Sequence, residues 1–161
     1  MGIIHVRVDD RLIHGQIAAM WTHHLSATRI IVVDDKATND EMLKMYLRLA
    51  TPKGVSLSVL SIKKASERLI GGYYDFQRIF IITRSAGTLC QLADLGVSIK
   101  EVHVGNLAFA EGNKKLSDSI FLSKESMKDF KQLMVLGIKL IMQPVPSDIP
   151  DDFGKILKEA D

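Results

Sequence analysis

Ile3-Ile4-His5-Val6-Arg7-Val8 runs directly into Asp9-Asp10-Arg11-Leu12-Ile13-His14-Gly15-Gln16, and Ile17-Ala18-Ala19-Met20-Trp21 follows with helical spacing of its apolar residues. The first six residues are short, apolar and β-branched, which predicts a strand. A strand, a polar loop and a helix in that order form the opening half of a βαβ unit. Arg29-Ile30-Ile31-Val32-Val33 then supplies the second strand.

The same alternation continues along the chain. Strands are predicted at Ile3–Val8, Arg29–Val33, Val55–Leu60, Arg78–Ile82, Glu101–Val104, Ser119–Leu122 and Ile138–Met142. Helices are predicted over Gly15–Leu25, Thr38–Ala50, Ile62–Ile70, Ala86–Leu95, Ser123–Leu136 and Asp152–Ala160, where apolar residues recur at three and four. Gly54, Gly71-Gly72, Gly96 and Gly137 punctuate the joins. The pattern predicts an α/β fold: one domain over residues 1–161, with a mostly parallel central sheet of about seven strands and helices on both faces. Gly105 to Ser117 breaks the rhythm and reads as a functional loop, and Pro144 to Pro150 reads as a turn-rich connector.

Composition narrows the function. A chain of 161 residues with 47% apolar and 25% charged side chains is ordinary for a globular domain. A net charge of +2, from 21 basic and 19 acidic residues without a basic cluster, gives nucleic acid nothing to bind. The single cysteine, Cys90, excludes an internal disulfide and a Cys/His zinc site, so the cytoplasm is the expected compartment. The apolar runs are too short to span a membrane, and any membrane role is expected through partners.

Open α/β sheets bind ligands beyond the carboxyl ends of their strands, which directs attention to the loop after the first strand. His14 stands at a helix start, beside the free amides of Gly15, Gln16 and Ile17, where the helix dipole favours an anion. Gly15 lets the backbone approach a tetrahedral anion, and Arg11 offers paired donors to its oxygens. Neutral imidazole is a competent nucleophile, so His14 is a candidate phosphoryl acceptor needing no metal or other cofactor. On residues alone a plainer account stays open: His14 as a loop histidine, and Arg11 as a surface partner of Asp9 or Asp10. Two further classes also remain, an anion-binding regulatory module and a metal-dependent hydrolase using Asp9, Asp10 and His14, although no phosphate-binding glycine motif occurs.

Thr83-Arg84-Ser85 follows the fourth strand, where Arg84 and Ser85 offer phosphate contacts or, equally, Ser85 caps a helix. Asp34, Asp35, Lys36, Gly105 and Asn106 lie at other strand ends that the topology brings toward the same rim. His5 and His103 fall in strands and read as packed rings, and His23-His24 is poorly disposed for a metal. Cys90 reads as helix packing.

The run Val8-Asp9-Asp10-Arg11-Leu12-Ile13-His14-Gly15-Gln16-Ile17 with Trp21 resembles the active-site stretch of the IIB components of mannose-family sugar phosphotransferase systems. Arg29 to Asp35, Glu101 to Asn106 with Ala108-Phe109 and Gly112, and Phe130 to Ile138 resemble that family in order and spacing. The resemblance implies a phosphotransferase that takes a phosphoryl group from a IIA phosphohistidine onto Nδ1 of His14, assisted by Arg11. Asp10, Gly15, Gln16, Arg84 and Ser85 are then the expected phosphate-binding residues. It implies delivery to a sugar entering through a membrane complex of IIC and IID subunits; self-association is open. Asn106 departs from a glycine common at that place and leaves the loop's shape as a question for the structure.

Overall fold

A computed structural model describes residues 2–160. Nine strands are present: β1 (Gly2–Val8), β2 (Arg29–Val33), β3 (Ser56–Leu60), β4 (Arg78–Thr83), β5 (Glu101–Val104), β6 (Lys114–Ser117), β7 (Ile120–Leu122), β8 (Lys139–Met142) and β9 (Asp151–Asp152). Six α-helices alternate with them: α1 (Gly15–Leu25), α2 (Glu41–Ala50), α3 (Ile62–Ile70), α4 (Ala86–Asp94), α5 (Lys124–Val135) and α6 (Phe153–Glu159). Seven strands form one sheet in the order β3-β2-β4-β1-β5-β8-β9, parallel except for β9, which runs antiparallel to β8.

Alternate residues of the central strands enter two separate cores, as a period of two requires. Ile30, Val32, Phe80 and Ile82 pack with Ala18 and Trp21 of α1 and Leu47 of α2. Ile31, Val33, Ile79 and Ile81 face the other way, toward Ala65, Leu89, Phe130 and Phe153 of α3 to α6. From β1 the chain moves through α1 and α2 toward β3, then reverses through α3 and α4 toward β5. Right-handed crossovers in opposite directions place these helix pairs on opposite faces. The neighbours β1 and β4 therefore send their following helices to opposite sides, opening a crevice at their carboxyl ends.

Four expectations change. Gly105 to Ser117 is not all loop, because β6 forms a hairpin with β7. Ser119–Leu122, expected in the central sheet, contributes β7 to that hairpin instead. The seventh sheet strand is β9, within a stretch read as connector and helix start. Two aspartates have little strand propensity, and edge pairing with β8 decides the matter. The second helix starts at Glu41 rather than Thr38, because Asp40 accepts the Leu43 amide and a 3-10 turn covers Ala37–Asn39.

Candidate functional site

Backbone hydrogen bonds join three strand ends at one rim, and an ion pair adds a fourth. The Asp9 amide donates to the Thr83 carbonyl at 2.9 Å, the Gly105 amide to Val8 at 2.7 Å, and the Asp10 amide to Asn106 at 2.9 Å. The segments after β1, β4 and β5 thus meet. Arg84 joins the segment after β2 through a 3.0 Å ion pair with Asp34.

Asp9, only 2% exposed, anchors the turn after β1. Its Oδ1 accepts the Arg11 amide at 2.9 Å and Arg11 Nε at 3.0 Å, while Oδ2 accepts Arg11 Nη2 at 3.0 Å. This pairing holds the Arg11 guanidinium more firmly protonated than usual, chiefly through the hydrogen bond to Asp9. The plainer sequence account foresaw an ion pair here, but on a surface aspartate rather than a buried one.

Leu12 then adopts φ +58°, a left-handed conformation that costs a branched side chain energy. Its amide donates to the Asp9 carbonyl at 3.0 Å, and the side chains of Leu12 and Ile13 are buried. The chain emerges from this anchored turn at His14, which is exposed at the N-cap of α1. Asp40, Ser61, Ser85, Ser123 and Asp152 all cap their helices with side-chain hydrogen bonds. Among the six described α-helices, α1 alone has no such cap. Its leading amides, beginning at the exposed Gly15 and Gln16, are left for a ligand. A Cβ built at Gly15 would meet nothing within 4 Å, so open space lies beside them.

Asp10 turns to the loop after β5. Its Oδ1 accepts Asn106 Nδ2 at 3.0 Å and its Oδ2 accepts the Ala108 amide at 2.6 Å. Asn106 therefore gives the loop a side-chain tie that glycine cannot make. Ser85 is the N-cap of α4, accepting the Thr88 amide at 3.4 Å. Arg84 remains partly exposed beyond its pair with Asp34. Cys90 bonds through its thiol to the Asp129 carbonyl at 3.4 Å, and burial pushes its pKa up to about 11. A thiol held protonated packs rather than attacks.

Behind the rim, the rings of His5 and His103 lie tilted against each other with centres 4.2 Å apart, and Trp21 stacks on His5 at 4.5 Å. Both histidines are packed residues, as their strand positions suggested. Arg7 and Trp21 bind the segment after β8, Trp21 Nε1 donating to the Pro144 carbonyl at 2.9 Å. Sequence reading missed Arg7. The available signal was a cation spaced two residues from His5 in an otherwise apolar strand, immediately before the paired aspartates.

The model of the PTS system sorbose subfamily IIB component family matches residues 3–161. The chain is 33% identical over 160 residues to the fructose-specific EIIB component of Bacillus subtilis strain 168, covering 99% of this chain and 98% of that one. It is 32% identical over 142 residues to the mannose-specific EIIAB component of Escherichia coli K12, covering 88% of this chain and 44% of that one. The solved IIBSor domain of the Klebsiella pneumoniae sorbose permease superposes with a TM-score of 0.93 at 31% identity, over 99% of this chain and 98% of that one. Sequence and fold agree along the whole chain, which belongs to the sorbose subfamily of phosphotransferase-system IIB components.

Proposed function

We propose that His14 carries the phosphoryl group of this IIB component, taking it from a phosphohistidine of a IIA protein and passing it to a sugar entering through a membrane IIC/IID complex. The observation that carries the reading is the exposed His14 at the one uncapped α-helix N-terminus among the described residues. An anion there meets free amides and the positive end of the helix.

The Nδ1 lone pair of His14 forms the new P–N bond as the donor's P–N bond breaks. The donor imidazole leaves with that electron pair, and each ring keeps its proton on the other nitrogen. Little covalent work falls to the protein, so positioning and charge stabilisation dominate. Arg11 supplies the cation, Gly15 and Gln16 the amides, and Arg84 with Ser85 the far wall of the crevice. Asp10 acts by fixing the Asn106 loop rather than by touching phosphate, since like charges repel.

The name EIIAB of the mannose-specific relative supports a IIA protein as donor. No helix among the described residues is long and apolar enough to cross a membrane, and we place the protein in the cytoplasm, at the membrane through its partners.

Incubation with a phosphorylated IIA protein should place one acid-labile, base-stable label on His14, located by mass spectrometry. Absence of label, or label on another residue, overturns the assignment.

A further inference from the structure

Arg7 is 3% exposed on β1, and the transfer scheme above gives it no task. Its Nη1 and Nη2 donate to the carbonyls of Gln143 and Pro144 at 3.3 and 3.4 Å. Its guanidinium carbon stands 5.6 Å from the centre of the Trp21 ring. Nε is buried with no hydrogen-bond partner. Among the charged groups it feels, Asp9 is the anion and Arg11 a second cation; its charge in turn bears on the buried His5 and His103.

Glycine at position 105 shows what lies near Nε. A Cβ built there would lie 2.8 Å from Asp9 Oδ2 and 3.0 Å from Arg7 Nε. The two atoms are therefore at most about 5.8 Å apart, the sum of those distances. Asp9 thus has two arginines near it, the partly exposed Arg11 that pairs with it and the buried Arg7.

That arrangement bears on how Arg11 reaches a phosphoryl group. Its Nε and Nη2 are both engaged with Asp9. Turning this fork to the phosphoryl oxygens withdraws it from a buried carboxylate, which keeps only the amides of Arg11 and Asn106. An unpaired buried charge is costly. A second cation fixed nearby in a low-dielectric interior offsets much of that cost.

We propose that Arg7 is a positioning residue for phosphoryl transfer: a buried counter-charge near Asp9 that lets Arg11 leave the carboxylate and grip the phosphoryl group on His14. The inference rests on His14 as carrier. The competing role for Arg7 is to pin the Gln143–Pro144 turn, which requires hydrogen-bond donors but no anion.

A double-mutant cycle separates the two, using rapid-quench transfer from a phosphorylated IIA protein beside urea unfolding of every variant. Arg7→Met should slow transfer about 10- to 100-fold, whereas Arg7→Lys, which keeps the charge, should lose less than about 5-fold. In an Asp9→Asn background, Arg7→Met should add less than about 2-fold, since no anion remains to compensate. Equal losses in both backgrounds overturn the proposal in favour of the turn-pinning role, and equal losses for Lys and Met overturn it by showing that transfer does not need the charge. Should the wild-type protein take no label on His14, the carrier reading itself fails. The unfolding data then decide the charge pairing: additive effects of Arg7→Met and Asp9→Asn reject it, and coupling between them retains it. If Arg7→Met does not fold, Arg7→Lys against Arg7→Gln carries the same comparison.

Discussion

The Asp10 carboxylate accepts the Ala108 amide at 2.6 Å across 98 residues of sequence, fixing the loop after β5 against the turn that presents His14. A carboxylate bonded to an amide is stronger than a neutral pair. Asp10→Ala removes this bond and the one from Asn106, so it should cost about 1–2 kcal/mol in urea unfolding. Hydrogen exchange at the Ala108 amide should accelerate by more than the global loss explains. Unchanged protection there would show the loop to be held by other means.

Gly105 tests how tightly the rim is packed. Its φ lies outside the left-handed region, so close approach rather than backbone freedom excludes a side chain. The added methyl of Gly105→Ala would press on Asp9, on Arg7 and, at 3.0 Å, on the Val8 carbonyl. Neither a buried ion cluster nor a strand backbone gives way easily, and a loss of about 2–3 kcal/mol in thermal or urea unfolding is expected. Wild-type stability would mean that the cluster has slack.

Arg11→Lys keeps a positive charge but not the planar fork. Phosphoryl transfer spreads charge over several oxygens, which two parallel N–H donors match and an ammonium does not. Rapid-quench transfer should slow by a factor on the order of ten to a thousand while His14 still becomes labelled. Arg11→Ala goes further and strips the buried Asp9 of its outer partner. Because Arg11 itself is a third exposed, the stability loss should be modest, about 1–2 kcal/mol. Unchanged transfer in both variants would remove Arg11 from the mechanism.

Acid should weaken the fold through the two buried histidines. Burial, above all, pulls His5 down to about 2 and His103 to about 4, so both rings stay neutral in the folded state. Unfolded histidines titrate near about 6.5. Below that pH the unfolded chain binds protons that the fold refuses. Stability is therefore complete above about pH 6.5 and falls between there and about pH 4, by up to about 1.4 kcal/mol per pH unit for each ring. Urea midpoints from pH 7.5 to 4.5 should show this slope, and His103→Gln should reduce it by roughly half. A flat profile would contradict the neutral buried pair.

The architecture was legible because buried parallel strands write their apolar runs plainly, as Arg29–Val33 and Arg78–Ile82 do. What sequence could not give is pairing. Lys114–Ser117 carries no strong strand pattern and becomes β6 only beside β7, and Asp151–Asp152 becomes β9 only beside β8. The same holds at the site. His14 stood out through its position before a helix, whereas the partners of Asp9, Asp10 and Arg84 depend on loops up to 98 residues away. Arg7 was hidden by apolar neighbours, although its role depends on a glycine almost a hundred positions later.

The rim around His14 and the layer behind it join residues as far apart as Arg7 and Pro144, 137 positions distant in sequence. A polypeptide emerging from the ribosome presents His14 well before the Ala108 amide and the Gln143 and Pro144 carbonyls have been made. Contacts so distant in sequence form late, after long loops have closed. The site is thus completed late, and a chain stopped before Ala108 presents His14 without the loop that Asp10 ties beside it.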